Sequence, residues 1–472
     1  MSAPFRADRA ARWMGGSLLQ GGPDALLRGA SIDSRAVAPG ELFLAIVGPH
    51  HDAHRYLGEA VGRGAAALVI ERGRELPAGL PDALPVIAVD DTTRALGALA
   101  AGHRREFQGP VVAITGSNGK TTTKEMTAAA LSQTGPCLKT EGNLNNRFGL
   151  PLTLLRREVE HRALVVEIGM NHRGEIQPLA EIARPSVAVI TNVGDAHIEH
   201  LGTREEIALE KGDLLLGLDA RGIAVLNADD PRVLSQARRA PGRVLRFGRS
   251  ATAEVRALAV RQQRGRFEID CATPSGAVQL GVVGLGESSV ANGLAACAAA
   301  LAAGTSLAEI ATGLRSYRPP HGRLEPHELP GGITLVDDSY NANPQSMANA
   351  LQALVALRDG AGASARGRCI AVLGAMGELG VQAEAAHREL GALAARLAVD
   401  ALVVVGDAGA WIAAGATAAG LGVARVFPCA SHEEAASTAA AWLLAGDVAL
   451  VKGSRSARME RVVELLLAEK RD

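Results

Sequence analysis

Aromatic side chains are scarce in this 472-residue chain: three tryptophans, three tyrosines and seven phenylalanines. A core short of rings must be filled mostly by Ala, Val, Leu and Ile. Cysteine is also rare. The five cysteines, at 137, 271, 297, 369 and 429, include no pair at metal-motif spacing. Their odd number argues against a disulfide framework, and a reducing compartment fits. Charge of one sign is lacking too: the formal net charge is −1. No basic field exists to hold nucleic acid, so basic stretches such as 232–246 read as solvated faces. The N-terminal stretch MSAPFRADRAARWMGG has no apolar signal core. The longest run of small residues, 291–304, is too short and too rich in Ala and Gly to span a bilayer. No repeat of solenoid period is present. The expectation is a cytoplasmic protein with no nucleic-acid partner and no membrane insertion.

What is present is ample apolar material. The chain is 47% hydrophobic and 21% charged, enough for a large core, and its length suggests about three domains. It is organised around residues 111–123, VVAITGSNGKTTT. The apolar run 111–114 reads as a buried strand. It leads into Gly116, Gly119, Lys120 and a run of threonines, and a helix pattern, KEMTAAALSQ, follows. Strand, glycine-rich turn, Lys-Thr and helix form the phosphate-loop arrangement. Glycines let the backbone curl so that N–H groups point at an anion, and the helix N-terminus adds its positive end. Thr115, Gly116, Ser117, Asn118, Gly119, Lys120, Thr121 and Thr122 are the candidate nucleotide contacts. Lys120 would reach the β- and γ-phosphates and the Thr121 hydroxyl would hold Mg²⁺. Ile114 stands where the strict motif has glycine, leaving the shorter T-G-x-x-G-K-T form.

In chain order, residues 1–108 read as a small α/β unit. His50, His51 and His54 cluster around Asp52; no helix register puts them on one face, so a polar loop is expected rather than a metal site. Residues 109–316 form a second block. The loop 140–151, TEGNLNNRFGLP, offers Asn143, Asn145 and Asn146, whose amides suit turns and equally a sugar or peptide ligand. The strand pattern at 163–166 ends in Glu167, well placed for Mg²⁺ beside a phosphate loop. The strand pattern at 187–191 delivers Asn192, Asp195, His197 and His200 to the same edge; His197 reads as a satisfied loop histidine on residue physics alone. Lys211, in a helix pattern, reads as a surface lysine on the same grounds. Around 243–283 the pattern shifts to short alternating strands, an antiparallel edge extension. Residues 317–472 alternate strands and helices in the manner of a doubly wound parallel sheet, with no G-x-G-x-x-G at its first turn. The fold class expected is therefore α/β, in three domains: a small α/β N-terminal domain, a central P-loop ATPase-like parallel sheet and a C-terminal Rossmann-like doubly wound domain.

The TGSNGKT loop, GNLNNRFGLPLTLL, EIGMNHRGEI, TNVGDAHIEHLG, HGRLE, DDSYNANPQSM and LVKGSRSARME together resemble the Mur ligases, over essentially the whole chain. The resemblance implies that 1–108 holds the UDP part of a substrate, 109–316 holds ATP and metal, and 317–472 holds an incoming dipeptide. It implies an ATP-dependent ligase, acting in the cytoplasm as a monomer. That ligase would join UDP-N-acetylmuramoyl-tripeptide to D-alanyl-D-alanine through an acyl phosphate, for peptidoglycan synthesis. Lys120, Glu167, His197 and Lys211 are the implied catalytic set. Thr121 and Glu167 would hold one Mg²⁺, His197 a second, and Lys211 would carry CO₂ as a metal-supporting carbamate. Asn292 matches an asparagine near adenine, Arg323 the arginine of G-R-x-E, and Asp338 a ribose-binding aspartate. Ser31, Asp33, Ser34 and Arg35 match the uridine-side motif. Asn143, Asn145 and Asn146 match the loop near the muramoyl peptide. Asn341, Asn343, Lys452, Ser454 and Arg455 match substrate-facing segments of the third domain. The family often has His-Asn where this chain has Ser288 and Ser289. Two rival readings share the phosphate loop: another Mur or folylpolyglutamate-type ligase with a different amine acceptor, and a nucleotide-binding module without ligase turnover. The third residue of the peptide, lysine or diaminopimelate, stays open.

Overall fold

Short runs of Val, Ile, Leu and Ala bounded by glycine or polar turns become the inner strands of three sheets in this computed structural model, which describes residues 2–263, 265–360 and 367–469. The first sheet runs in the order Ser17–Gln20, Val86–Val89, Ala67–Glu71, Leu42–Leu44 and Ala30–Ser31, parallel except at the Ser17–Gln20 edge.

The second sheet has nine strands. Its order is Cys137–Lys139, Ala163–Glu167, Val111–Thr115, Val187–Ile190, Ile223–Asn227, Arg243–Gly248, Val255–Gln263, Arg266–Thr273 and Gly276–Val283. The antiparallel extension is shorter than the sequence pattern implies. Arg243–Gly248 continues the parallel order beside Ile223–Asn227, and its pairing with Val255–Gln263 is also parallel. Antiparallel pairing starts only with Arg266–Thr273. The reason is the connection. A six-residue excursion with the turn at Ser250–Ala253 carries the chain back to Phe247 without reversing it, whereas Val255–Gln263 and Arg266–Thr273 run in opposite directions.

Strand alternation splits the middle core into two faces. Val111 and Ala113 pack on the side that also receives Leu96, Leu99 and Leu154, while Val112 and Ile114 pack against Met126, Leu294 and Ala298. The helix Glu287–Ala302 is built largely of alanine, so it lies close to the sheet. The third sheet runs Glu325–Leu329, Ile333–Asp338, Val448–Lys452, Cys369–Leu373, Ala401–Val405 and Val426–Cys429, with its first strand antiparallel and the rest parallel. Helices flank both faces. Among the described residues, no helix is long and apolar enough to cross a membrane.

In the second sheet, the strands that follow Val111–Thr115 go to either side of it, so a crevice opens beyond its carboxyl end. That crevice faces the loops of the third sheet.

Candidate active site

Val111–Thr115 delivers the phosphate loop to the crevice, and Lys120–Leu131 leaves it as a helix. Gly119 has φ +79°, and a Cβ there would drive into the Asn292 amide, so glycine is required on both counts. The loop is held by its neighbour. The N–H groups of Ser117 and Asn118 donate to the carbonyl and the side chain of Asn192, both at 2.9 Å, and the Thr191 hydroxyl donates to the Asn118 carbonyl at 2.6 Å. The Lys120 ammonium caps its own loop, donating to the Gly116 carbonyl at 2.9 Å. Burial lowers the pKa of Lys120, while the Glu167 carboxylate opposes the shift. Thr115 is fully buried at the strand end and does not line the crevice; residues 117–122 do. The hydroxyl of Thr115 is buried without a hydrogen-bond partner among the described residues, so of the candidate contacts it is set behind the site.

Glu167 closes the strand Ala163–Glu167, one strand over. Its carboxylate accepts from the Thr121 hydroxyl at 2.7 Å and from the Asn145 amide at 2.8 Å. A carboxylate and a hydroxyl converging at the foot of a phosphate loop are hard oxygen donors suited to Mg²⁺.

Lys211 is not a surface residue. It is 1% exposed at the end of the helix Arg204–Gly212, and among the described residues its ammonium group makes no hydrogen bond or ion pair. Burial pushes its pKa well below the ordinary lysine range, the nearby Lys120 cation adds to the fall, and Glu210 opposes it. Glu210 is itself committed elsewhere: its carboxylate accepts the N–H groups of Gly174, Glu175 and Ile176.

His197 stands at φ +66° before a short helix turn. Its Nδ1 lies 2.7 Å from the Glu378 carboxylate of the third unit, an ion-pair contact without aligned hydrogen-bond geometry. Burial lowers the His197 pKa and Glu378 opposes the shift. Residue reasoning did not find Glu378; its own φ of +58° is a strained position for a non-glycine residue.

The third unit supplies the opposite wall. Asn343 caps the helix Pro344–Gly360 with its backbone and side-chain oxygen, and its amide donates to Asn118 Oδ1 at 2.7 Å. Asn118 in turn donates to Gln345 at 3.1 Å. Asp338 accepts from Lys452 at 2.5 Å and from the Leu324 N–H at 3.1 Å; burial raises its pKa against the pull of Lys452. Lys452 thereby faces the candidate ribose aspartate rather than open space, and it also donates to the Asn341 carbonyl. Arg323 lies 4.2 Å over the Tyr340 ring and Arg455 6.0 Å from it on the same ring, a cation–π arrangement. Two connected hollows result. One, of about 400 Å³, is lined by the phosphate loop, Glu167, Asn145, Arg323, Asp338 and Lys452. The other, of about 970 Å³, is lined by His197, Glu378, Ser454, Arg455, Arg458 and Arg461. Lys120 and His197 line both.

The remaining candidates divide. Asn292 sits against Gly119 and accepts from the Thr123 hydroxyl at 3.3 Å. Ser288 and Ser289 also line the smaller hollow, where the Ser289 hydroxyl donates to the carbonyl of Leu285, just before the helix. Asn143 lines the same wall; Asn146 does too, but its side-chain oxygen is used by the N–H groups of Phe148 and Gly149. Ser31, Asp33, Ser34 and Arg35 do not line the hollows. There Arg35 grips the Asp33 carboxylate with two N–H groups and holds its pKa down at about 2, and Ser34 donates to Glu59. His54 bonds Asp52 through one ring nitrogen and receives the Glu71 N–H at the other, so it has no free ligand atom.

Three family models match the chain: "Mur ligase family, catalytic domain" over residues 27–104, "Mur ligase middle domain" over 114–300 and "Mur ligase, glutamate ligase domain" over 322–455. The UDP-N-acetylmuramoyl-tripeptide–D-alanyl-D-alanine ligase of Escherichia coli (strain K12) is 38% identical over 450 residues, which is 94% of this chain and 95% of that one. A crystal structure of MurF from Acinetobacter baumannii superposes with TM-score 0.88 at 32% identity, covering 99% of both chains. The MurF ligase of Thermotoga maritima, solved in complex with ADP, superposes with TM-score 0.81 at 30% identity, covering 94% of this chain and 99% of that one.

Proposed function

The chain belongs to the Mur ligase family, and from that premise we infer how its residues share the work of one reaction. It is an ATP-dependent ligase that joins D-alanyl-D-alanine to UDP-N-acetylmuramoyl-tripeptide, forming a C–N bond and yielding the UDP-muramoyl pentapeptide of peptidoglycan synthesis. ATP becomes ADP and phosphate.

The observation that carries the reading of the site is one convergence. Lys120, Thr121, Glu167 and His197 meet across a crevice from Asp338, Arg323 and Arg455, with two hollows sharing Lys120. The smaller hollow is the nucleotide site. Ser117 to Thr122 form its loop, Asn292 and Ser289 lie at the adenine end, and Asp338 with Arg323 lies at the ribose end. The larger hollow takes the two peptides. Arg455, Arg458 and Arg461 supply the positive wall for the carboxylate of the incoming dipeptide. Asn143, Asn145, Asn146, Asn341 and Asn343 offer amides to the muramoyl peptide, and residues 31–35 bind the uridine side. The boundaries follow at 108/109 and 316/317.

A carboxylate is a poor electrophile, so the γ-phosphoryl is first moved onto the tripeptide carboxylate. Phosphoryl transfer is chiefly positioning and charge neutralisation. Lys120 leaves its loop carbonyls for the phosphate oxygens. Thr121 and Glu167 would hold one Mg²⁺ and His197 a second; when bound, Mg²⁺ neutralises phosphate charge and orients the γ-phosphoryl. The dipeptide amine, having lost its proton, attacks the acyl carbon and phosphate departs. Lys120 and the loop N–H groups face the oxyanion that develops. Lys211 supports a carbamate by its chemistry: a buried, unpaired amine held neutral is the nucleophile that adds CO₂, releasing one proton and turning a potential cation into an anion.

Phosphate release from ATP and Mg²⁺ with UDP-muramoyl tripeptide tests the whole reading, with and without D-alanyl-D-alanine. Both lysine and diaminopimelate forms are supplied and the product is weighed by mass spectrometry. Dipeptide-dependent release with pentapeptide formed is expected. ATP binding with no pentapeptide from either form would refute it.

A further inference from the structure

Strand alternation places two neighbouring aspartates on opposite faces of Ile333–Asp338. Asp338 faces the nucleotide crevice; Asp337 faces away, fully buried. The antiparallel register sets Asp337 directly opposite Glu325. Two carboxylates so placed repel each other. Asp337 Oδ1 accepts the Ser339 N–H at 2.9 Å, but Oδ2 is buried without a hydrogen-bond partner among the described residues. A buried carboxylate oxygen without a donor is costly unless a cation meets it.

One ring stands over the pair. His321, on the turn entering Glu325–Leu329, puts Nδ1 3.0 Å from Glu325 Oε2 and 3.8 Å from Asp337 Oδ2. A single N–H cannot serve both oxygens, whereas an ion between the three atoms can. The three donor atoms lie within 4.8 Å of one another, the one group of three His, Cys, Asp or Glu side chains that does so among the described residues. Ligands at about 2.1 Å from a tetrahedral ion sit about 3.4 Å apart, and 3.0 and 3.8 Å bracket that spacing. His327, on the same face of its strand as Glu325, brings a further buried imidazole nitrogen without a hydrogen-bond partner to 3.7 Å from Glu325 Oε2.

We propose that His321, Glu325 and Asp337 form a binding site for a divalent cation of the Zn²⁺ class. Imidazole with carboxylate selects such an ion over Mg²⁺, which prefers oxygen alone. The site is separate from the Thr121–Glu167–His197 group. It is a clamp on a connection: His321 belongs to the segment between the helix Leu307–Ser316 and the third sheet, and Asp337 to the sheet itself. Arg323 lies between two of its ligands in sequence and Asp338 beside the third. Occupancy therefore stiffens the approach of the third unit to the nucleotide crevice.

The test uses the full-length protein, stripped of metal by chelator and returned to excess Mg²⁺. Co²⁺ is titrated, with bound metal measured by equilibrium dialysis and its ligand field by visible absorption. One equivalent of Co²⁺ is expected that Zn²⁺ displaces, that Asp337→Asn and His321→Ala each weaken by about tenfold or more, and that His197→Ala leaves in place. The exposed His321 side chain makes His321→Ala the variant that tests the ligand without disturbing the core. No retained Co²⁺, or Co²⁺ lost in His197→Ala but kept in His321→Ala, would overturn the proposal.

Discussion

An amine 1% exposed, with no carboxylate spared for it, is held neutral by the cost of burying its charge. Lys211 is that amine, and the neighbouring Glu210 is occupied by three backbone N–H groups. Arginine cannot release its proton at working pH and cannot carry a carbamate. Lys211→Arg is therefore expected to lower kcat by about 10²–10³, with ATP binding retained by calorimetry. After exposure to ¹³C-bicarbonate, the wild-type protein should show a carbamate carbon by NMR that the variant lacks. A fully active wild type with no such resonance would remove the carbamate from the mechanism.

Two elements carry predictions of their own. The phosphate loop turns into its helix through Gly119, at φ +79° and with no room for a Cβ beside Asn292. Gly119→Ala should cost about 1–2 kcal/mol of stability from the left-handed backbone alone, read as a lower urea midpoint. KM for ATP should rise because the loop amides lose their aim. The helix Thr92–Arg105 carries the other case. His103 is buried between the Ala3 and Leu154 carbonyls, and burial lowers its pKa to about 4 although both carbonyls favour the charged ring. The unfolded chain binds a proton near pH 6.5, so between pH 6.5 and 4 it holds more protons than the native protein. Stability from this group is complete above pH 6.5 and is lost as pH falls toward 4, by about 3 kcal/mol. Urea unfolding across that window should fall less steeply for His103→Gln than for the wild type; equal slopes would show that His103 is not the group titrating.

At the scale of the molecule, the third unit touches the phosphate loop through Asn343 and Gln345 on Asn118, and the segment after Val187–Ile190 through Glu378 on His197. Yet a hollow of about 970 Å³ remains between them. An acyl phosphate needs a drier site than that. Binding of all ligands is therefore expected to draw the units together, lowering the radius of gyration in X-ray scattering. An unchanged curve with ATP analogue, tripeptide and dipeptide present would exclude closure as a step.

The phosphate loop, the acid at the end of Ala163–Glu167 and the order of strands and helices were legible in sequence because each depends on neighbours within a few residues: period, glycine placement and strand ends. The resemblance to the Mur ligases added roles that periodicity alone could not reach, among them Lys211. Tertiary structure alone decided three things. It buried Lys211, which reads as a surface lysine in its helix pattern, because the packing around Lys211 comes from elsewhere in the chain. It showed that Thr115 lies behind the site, since strand alternation there is set by which sheet face meets the core. It also joined residues far apart in sequence: Asn118 with Asn343, His197 with Glu378, and His321 with Asp337. Local sequence sets what each segment can form; only packing sets which distant charges must share one space, and the chemistry of a buried group depends on that.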